Sequence, residues 1–174
     1  MKPLHGTPLK RFVRSLPGPP SPVELVVVCQ SVAYPVNVGS IFRIADALDV
    51  AELLLTGITP TPPHPTISKV AREKDRQVPW RYVEKPEAAL TELRAQGYWL
   101  AALEITDQCQ AYYSVDYPAR VALVLGNEDH GVTKASLALC DAAIFVPMYG
   151  QGKSLNVHVS LAVVGYHLLH RQAK

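Results

Sequence analysis

Two continuous runs of aliphatic and β-branched residues constrain the fold of this chain more than any other feature. Residues 24–30 read Glu-Leu-Val-Val-Val-Cys-Gln, and residues 121–125 read Val-Ala-Leu-Val-Leu. A run without polar alternation is typical of a strand that is buried on both faces, as the central strands of parallel sheets are. The two runs therefore predict a sheet that helices cover on both sides.

Helical patterns and further short apolar runs alternate along the rest of the chain. A helix that Asn37 caps, with Ile41 and Leu48 on its apolar stripe, leads into a strand at residues 51–57. Four prolines rule out regular structure in residues 58–66. This alternation predicts an α/β fold with a mostly parallel sheet flanked by helices. The further strands are expected at residues 80–83, 98–103 and 143–146, and the further helices at residues 68–76, from Pro86 to Gly97, after Thr133 and from Ser154 onward.

Residues 1–22 differ from the rest of the chain in charge and composition. They hold four basic residues, no acidic residue and six prolines. Of the 17 basic residues in the chain, 13 remain in the rest against 15 acidic ones, a net charge near −2. The prolines favour an extended, poorly packed arm, which either contacts the phosphates of a nucleic acid or is a solvated terminus. We expect residues 23–174 to form one globular domain, long enough to bury a hydrophobic core without disulfides or metals.

The cysteines and the N-terminus indicate the compartment. Cys29, Cys109 and Cys140 are odd in number and form no Cys-x-x-Cys pair, which argues against a disulfide framework and against a zinc site. No apolar stretch precedes a small-residue cleavage site, and no run approaches the roughly 20 apolar residues of a membrane span. We expect a cytoplasmic protein without a metal site or a membrane segment.

Three polar, glycine-containing segments follow apolar runs at distant points of the chain. They read Asn-Val-Gly-Ser-Ile-Phe-Arg at residues 37–43, Leu-Gly-Asn-Glu-Asp-His-Gly at residues 125–131, and Val-Pro-Met-Tyr-Gly at residues 146–150, the last running on to Ser-Leu-Asn at residues 154–156. Because ligands bind outside the carboxyl ends of the strands in open α/β sheets, the three segments predict one shared pocket.

Several common kinds of site do not fit these residues. Gly-Lys-Ser at residues 152–154 looks like part of a phosphate-binding loop, but Pro147 stands where that motif needs a glycine. The three-glycine dinucleotide fingerprint and the Gly-x-Ser-x-Gly elbow of hydrolases are also absent. We interpret His158 and His170 as helix-surface residues and Cys140 as structural. What remains is a site of backbone turns with one Arg, one Glu and a Ser/Asn pair, which suits transfer of an already activated group.

The three segments resemble the motifs of the SpoU (TrmH-like) branch of the SPOUT RNA ribose methyltransferases. The resemblance covers roughly residues 24–170. Departures from the usual pattern are Asp129, where Gly is common, His158, where a small residue is common, and Arg-Glu-Lys-Asp at residues 72–75. They leave the reaction intact and bear on the choice of RNA. The matching residues are Asn37-x-Gly39-Ser40-Ile41-x-Arg43, Leu125-Gly126-Asn127-Glu128-x-x-Gly131, and Val146-Pro147-Met148-x-Gly150-x-x-x-Ser154-Leu155-Asn156-Val157.

The resemblance implies a deep C-terminal trefoil knot, in which residues 154–170 thread through a loop of the preceding segment. S-adenosylmethionine binds bent within this knot. The resemblance also implies a homodimer whose RNA groove crosses the subunit interface. The residues that it assigns to the cofactor pocket are Leu103, Gly126, Val146, Ser154 and Leu155.

The same resemblance implies that Arg43, Asn37, Glu128, Ser154 and Asn156 serve methyl transfer to a ribose 2′-hydroxyl. Because a guanidinium stays charged, we interpret Arg43 as the group that grips the adjacent phosphate, orients the hydroxyl and stabilises the developing alkoxide. Asn37 caps its helix and orients Arg43 or the ribose, and Glu128 shapes the loop beneath the cofactor. Ser154 and Asn156 lie in the first turn of the last helix, where capping and the site share them.

The RNA target is the least constrained part of the prediction. No separate RNA-binding domain is visible, so we expect tRNA first and ribosomal RNA second. A catalytically inactive RNA-binding relative is the alternative from another class, and a phosphate-loop NTPase that depends on Lys153 is the third. The intact motif residues argue against the inactive relative. A basic strip is expected either to bind phosphates or to be an ordinary charged face, and it consists of Lys69, Arg72, Lys74, Arg76 and Arg81.

Overall fold

A computed structural model of the protein describes residues 1–16, 21 and 23–170. Strands and helices alternate along it, and two short 3-10 turns lie at Lys74–Arg76 and Tyr112–Ser114. The strands are β1 (Glu24–Gln30), β2 (Glu52–Thr56), β3 (Trp80–Val83), β4 (Trp99–Leu103), β5 (Gln110–Ala111), β6 (Arg120–Leu125) and β7 (Ala142–Phe145). The helices are α1 (Gly6–Ser15), α2 (Pro35–Ala47), α3 (Pro65–Ala71), α4 (Pro86–Ala95), α5 (Lys134–Leu137) and α6 (Val157–His170).

The strands form one parallel sheet in the order β3-β2-β1-β6-β4-β7-β5. The two apolar runs that predicted the sheet are neighbours at its centre, and Val27 of β1 pairs with Leu53 of β2 on one side and Leu123 of β6 on the other. All three side chains are fully buried. The predicted α/β fold with a mostly parallel, helix-covered sheet is therefore confirmed.

Alternate residues of each central strand contribute to two separate cores. Val27 packs on the side that α2, α3 and α6 cover, whereas Val26 and Val28 pack on the side of α4. Gly165 of α6 has no room for a side chain, because a Cβ there would lie 2.3 Å from Leu48 Cδ1. This close approach brings the last helix against the end of α2, which is the contact that positions the residues of the candidate site.

The N-terminal residues form a helix where we predicted an extended arm. Residues 1–16 are all exposed, as expected, but Gly6–Ser15 are α-helical. Pro8 lies in the first turn, where a backbone N–H has no partner within the helix, and no further proline occurs before the helix ends. The prolines at 17, 19, 20 and 22, which also supported the prediction, lie outside the described residues.

The segment between β2 and β3 contains more helix than its prolines indicated. Helix α3 begins at Pro65, inside the region predicted to be irregular, because proline suits the first helical position. His64 Nδ1 accepts a hydrogen bond from the Thr66 N–H at 3.2 Å and caps this helix. The helix predicted over residues 68–76 breaks after Ala71, where Arg72 and Glu73 have φ values of 50° and 70°.

The helices, the cysteines and the possible metal ligands of the described residues can each be compared with the expectations from the sequence. None of the described helices is long and apolar enough to cross a membrane. Cys29, Cys109 and Cys140 are free thiols. Burial raises the pKa of the Cys140 thiol to about 12 and that of Cys29 higher still, so neither is a thiolate at neutral pH. Residues 1–16, 21 and 23–170 contain no group of three or more His, Cys, Asp or Glu that could hold a metal ion.

Candidate active site

The candidate site lies at the carboxyl edge of the sheet, where β1, β6, β4 and β7 end side by side. A cavity of about 830 Å³ opens between the loops that follow β4, β6 and β7 and the residues leading into α6. This volume lies in the range of roughly 300–1,000 Å³ that small-molecule sites occupy. We call it the cofactor cavity below.

All five residues assigned to cofactor binding line this one cavity. Leu103 ends β4, Gly126 follows β6 and Val146 follows β7, so the sheet order itself brings them together. Ser154 and Leu155 approach from the segment before α6. Residues of the second and third sequence motifs thus line the cavity, as the sequence predicts. The prediction of one pocket shared by all three motifs was wrong for the first motif, because Ser40 and Arg43 lie on α2 and line a different cavity.

The loop after β6 is a tight turn held by one side chain. Asn127 Oδ1 accepts hydrogen bonds from the backbone N–H groups of Asp129 and His130 at 2.9 and 3.0 Å. Gly131 closes the turn by donating its N–H to the Asn127 carbonyl at 2.8 Å, with a φ of 66°. Gly126 allows the turn to fold back on itself, because a Cβ there would lie 2.3 Å from the Gly131 carbonyl carbon. The floor of the cavity is therefore made of backbone.

Two side chains that the sequence analysis missed hold this loop from below. Glu104 accepts hydrogen bonds from the Val132 N–H at 2.7 Å and the Ile105 N–H at 2.9 Å. Gln30, which is 1% exposed, accepts one from the Thr133 N–H at 3.1 Å. Each of the two residues directly follows or ends an apolar strand run, and a polar residue at that point is the signal that could have found them.

Glu128 and Asn37 join the loop after β6 to the start of α2. Glu128 accepts hydrogen bonds from the Ala33 and Tyr34 N–H groups at 2.8 and 3.3 Å, and from Asn37 Nδ2 at 2.6 Å. The carboxylate thereby lies at the N-terminal end of α2, where a negative charge is favourable. Asn37 was predicted to cap this helix, and that was wrong: α2 begins at Pro35, and Glu128 supplies the acceptors from another loop.

Asn156, and not Ser154, caps the last helix. Helix α6 begins at Val157, and Asn156 Oδ1 accepts the His158 N–H at 3.1 Å. Ser154 lies three residues before the helix, exposed on the wall of the cofactor cavity. Asn156 Nδ2 also donates to Asn37 Oδ1 at 3.3 Å, so three of the five predicted catalytic residues form one hydrogen-bonded chain with Asn37 at its centre.

Arg43 lies outside the cofactor cavity of its own chain. It is exposed on α2 and lines a second cavity of about 320 Å³, which we call the Arg43 hollow, together with Ser40, Ile44, Ala47, His158 and Tyr166. Arg43 forms no ion pair with any residue that the structure describes. The hollow and the cofactor cavity are joined through Asn37, which contacts Asn156 of one and His158 of the other.

The predicted basic strip is partly neutralised by neighbouring acids. Lys74 Nζ pairs with Asp46 at 3.0 Å, and Arg81 pairs with Glu52 at 3.0 Å and Glu92 at 2.7 Å. Arg81 therefore joins the edge strand β3 to β2 and α4, and its charge is shared with two acids. The exposed members that remain are Lys69, Arg72 and Arg76.

Sequence comparison links these features to proteins of known activity. The pattern of the family described as SpoU rRNA Methylase matches residues 24–166. The chain is 30% identical over 151 residues to the tRNA (guanosine(18)-2′-O)-methyltransferase of Thermus thermophilus, covering 87% of this chain and 77% of that one. It is 29% identical over 156 residues to the 23S rRNA (guanosine-2′-O-)-methyltransferase of Neisseria meningitidis, covering 90% of this chain and 60% of that one.

Comparison with solved structures gives the same result. The TrmH/SpoU tRNA modifying enzyme of A. aeolicus superimposes with a TM-score of 0.76 at 27% sequence identity, over 84% of this chain and 74% of that chain. The family match spans β1 to α6 and includes the strands, the loops of the cofactor cavity and the hydrogen-bonded chain around Asn37. This protein therefore belongs to the SpoU methylase family, in its TrmH-like branch.

Proposed function

We propose that the protein transfers the methyl group of S-adenosylmethionine to a ribose 2′-hydroxyl of RNA. One observation carries the proposal: a cavity lined by all five expected cofactor residues lies one hydrogen-bonded side chain away from a hollow whose arginine forms no ion pair within the described part of the chain. Membership in the SpoU family supports the reaction. The two cavities supply separate places for the methyl donor and for the sugar-phosphate acceptor.

The cofactor cavity fits S-adenosylmethionine in its size and in the groups that line it. Gly126 lets the loop after β6 fold back on itself at the cavity wall, since a Cβ there would overlap Gly131 and Val132. A wall made of backbone suits the close approach of a planar base or a ribose. Bound there, S-adenosylmethionine supplies a methyl group activated by the positive sulfur. Leu103, Gly126, Val146, Ser154 and Leu155 would hold it.

Arg43 acts on the acceptor in this proposal. A guanidinium is the preferred partner of a phosphate, because its fork of N–H groups matches two phosphate oxygens. The lack of an ion pair to any described residue keeps that charge available. Gripping the phosphate beside the target ribose orients the 2′-hydroxyl, and the same charge stabilises the alkoxide as it develops.

Glu128, Asn37 and Asn156 act through position. Glu128 fixes the start of α2, from which Arg43 extends two turns later, and Asn156 fixes the start of α6, which follows the cavity wall. Asn37 bonds to both, so the three side chains hold the two cavities in a constant relation. Ser154 stays on the cofactor side of this arrangement.

The proposal extends to a C-terminal trefoil knot and a homodimer. Residues 154–170 would pass through a loop of the preceding segment, which the likeness to the A. aeolicus enzyme supports. The dimer is supported by the place of Arg43 outside its own cofactor cavity and by exposed apolar side chains on the packed helices α2 and α6, namely Val36 and Val159. A second copy would bury these two residues beside the Arg43 hollow and bring the RNA groove across the interface.

We propose tRNA as the first substrate and ribosomal RNA as the second, in the cytoplasm. The similarity to the Thermus thermophilus tRNA enzyme supports the first, and the similarity to the Neisseria meningitidis rRNA enzyme supports the second. Arg72 and Arg76, with Lys69, would contact RNA phosphates beside α2. The basic residues 1–22 would form an arm separate from the domain of residues 23–174 and add further phosphate contacts.

The experiment that tests this function is mass-spectrometric mapping of ribose methylation in total RNA from a strain lacking the protein. We expect one 2′-O-methyl mark to disappear and to return when the gene is restored. Calorimetry with S-adenosylmethionine separates an enzyme from an inactive RNA-binding relative, which would bind none. An unchanged methylation map together with no cofactor binding would overturn the proposal.

A further inference from the structure

His158 stands at the first turn of α6 and lines the Arg43 hollow. We expected it on the outer helix surface, but the ring is half-buried and its Nδ1 lies 3.3 Å from Asn37 Oδ1. None of the roles proposed above uses this side chain. Its surroundings specify which ring nitrogen carries the hydrogen, and that determines what the ring can do in the hollow.

Two neighbours independently fix the orientation of the Asn37 amide. An ionised carboxylate can only accept hydrogen bonds, so the Asn37 atom 2.6 Å from Glu128 is the amide nitrogen. The His158 backbone N–H can only donate, so the Asn156 atom that it contacts is the oxygen, which leaves Asn156 Nδ2 to donate to Asn37. Both arguments place Asn37 Oδ1, an acceptor, against the ring of His158.

The acceptor in turn fixes the tautomer of the imidazole. To bond with Asn37 Oδ1, Nδ1 must carry the hydrogen, and in the neutral ring Nε2 then has a free lone pair. Burial lowers the pKa of His158 below its ordinary value, which favours the neutral ring at neutral pH. The Arg43 hollow therefore contains a neutral base whose proton-accepting atom is specified by the chain Glu128–Asn37–His158.

We infer that His158 Nε2 accepts the proton of the ribose 2′-hydroxyl during methyl transfer. This inference rests on the proposed function and assigns a step that Arg43 cannot perform, since a guanidinium stays protonated at any working pH. The 2′-oxygen forms a bond to the methyl carbon while the bond from that carbon to sulfur breaks. The sulfur keeps the electron pair, S-adenosylhomocysteine leaves, and the hydroxyl proton moves to Nε2 and then to solvent.

The charged and titratable groups around His158 suit this role. Arg43 and Tyr166 line the same hollow, and Glu128 lies behind Asn37. Burial disfavours an imidazolium before RNA binds, and the negative charge of a bound phosphate would favour it. After proton transfer, Nδ1–H remains bonded to Asn37, whose amide is polarised by the Glu128 carboxylate. The imidazolium is thus stabilised at the moment it forms.

The kinetic test uses His158→Gln, with His170→Gln as the matched control on the same helix outside the hollow. Single-turnover methyl transfer to RNA is measured from pH 5 to pH 9, and cofactor affinity by calorimetry. The wild type is expected to rise to a plateau with an apparent pKa below about 6.5, the ordinary histidine value. His158→Gln is expected to transfer methyl groups about 100-fold or more slowly and to show no such inflection in its pH profile. It should bind S-adenosylmethionine normally. An equal rate and profile in His158→Gln and wild type would overturn the inference.

A measurement on the unliganded protein is independent of activity. Long-range ¹H–¹⁵N spectra of histidine-labelled protein report the tautomer, with the His158 signals assigned by their loss in His158→Gln. We expect the hydrogen on Nδ1 in the wild type. Glu128→Gln removes one of the two constraints on the Asn37 amide, because a glutamine can donate to Asn37 as well as accept, so we expect the Nδ1–H tautomer to stay dominant by a smaller margin. A hydrogen on Nε2 in the wild type would overturn the inference, whatever the activity of the variants.

The outcomes separate this inference from the proposed function. If the wild type methylates no RNA, the proposed function fails and the inference fails with it. If the wild type methylates ribose and His158→Gln keeps the rate and the pH profile, the function stands and only the role of His158 is wrong. The expected result is a large drop in rate in His158→Gln, the wild-type rate in His170→Gln and the Nδ1–H tautomer.

Discussion

The cofactor cavity and the Arg43 hollow are neighbours, but they are built from different materials. Loop backbone forms the floor of the first, where Asn127 and Gly131 close a turn and Glu104 holds it from below. Side chains on two helices form the second, and its polar members are Ser40, Arg43, His158 and Tyr166. A site made of backbone loses binding when an added side chain displaces the loop. A site made of side chains loses its function when one functional group is removed. This difference predicts which substitutions affect cofactor binding and which affect only the reaction.

The largest effect is expected for Arg43→Ala, which removes the charge from the hollow and leaves the cofactor cavity intact. Methyl transfer should fall about 10²–10³-fold, as it does when a single transition-state donor is removed. Cofactor affinity by calorimetry should stay nearly unchanged, and Arg43→Lys should recover part of the rate, because it restores charge without the fork. An equal decrease of rate and cofactor affinity would show that the two cavities are not separable.

The second-largest effect is expected for Gly126→Ala, whose added methyl group would displace the turn that forms the floor of the cofactor cavity. Its Cβ would meet Gly131 at 2.3 Å and Val132 N at 2.5 Å, so the turn must move. We expect at least tenfold weaker cofactor binding and a decrease of about 1–3 kcal/mol in the free energy of unfolding, measured in urea. Gly150→Ala is the control, since a Cβ there meets nothing within 4 Å. Similar behaviour of the two variants would contradict a backbone-built cavity.

These two regions also differ in how well the sequence predicted them. The runs at residues 24–30 and 80–83 became strands with those bounds. Every residue predicted to bind the cofactor lines one cavity at the predicted edge, because strand ends in a parallel sheet converge by topology. The capping residues were predicted less well. Glu128 accepts the backbone N–H groups just before α2 from a loop 94 and 95 positions away, so local sequence at Asn37 could not reveal it. Asn and Ser are equally favoured at the N-cap of a helix, so the sequence alone could not decide between Asn156 and Ser154. The position at which the chain enters the helix decides it.

The role of the hollow was the least predictable part of the site. His158 has no charged neighbour in sequence, and its environment depends on contacts across 121 positions with Asn37 and on Arg43 in another helix. The basic strip shows the same limit, because the acids that neutralise Arg81 lie on β2 and α4. The local sequence pattern predicts the helices, the strands and the edge of the sheet where a site forms. The partners of a polar side chain depend on tertiary contacts, which that pattern does not contain.

A smaller effect is expected for Glu104→Gln, which keeps the shape of the support beneath the cofactor cavity and removes one of its two acceptors. The Val132 and Ile105 N–H groups would compete for a single oxygen, and we expect roughly tenfold weaker cofactor binding, about 1.4 kcal/mol. Glu87→Gln, on α4, should bind normally. Unchanged affinity in Glu104→Gln would mean that the loop needs no support from this carboxylate.

The smallest effect concerns the surface beyond the hollow. The double variant Arg72→Glu, Arg76→Glu should weaken RNA binding and lower the salt dependence of the binding constant by about one unit of slope for each phosphate that the protein no longer neutralises. Cofactor affinity should not change. Lys85→Glu, at the start of α4, serves as the control for charge alone. If both variants bind RNA with the same reduced affinity and keep the wild-type salt slope, these arginines do not contact phosphates.

The most direct test of the whole account is a nucleoside analysis of RNA methylated by the purified protein. Unmodified tRNA and ribosomal RNA are incubated with S-adenosylmethionine carrying a labelled methyl group and then digested. We predict label on the ribose 2′-oxygen of one RNA class with the wild type, and almost none with Arg43→Ala, although both proteins bind the cofactor. Label on a base, or equal ribose labelling by the two proteins, would contradict the separation of a methyl-donor cavity from an arginine-lined acceptor hollow.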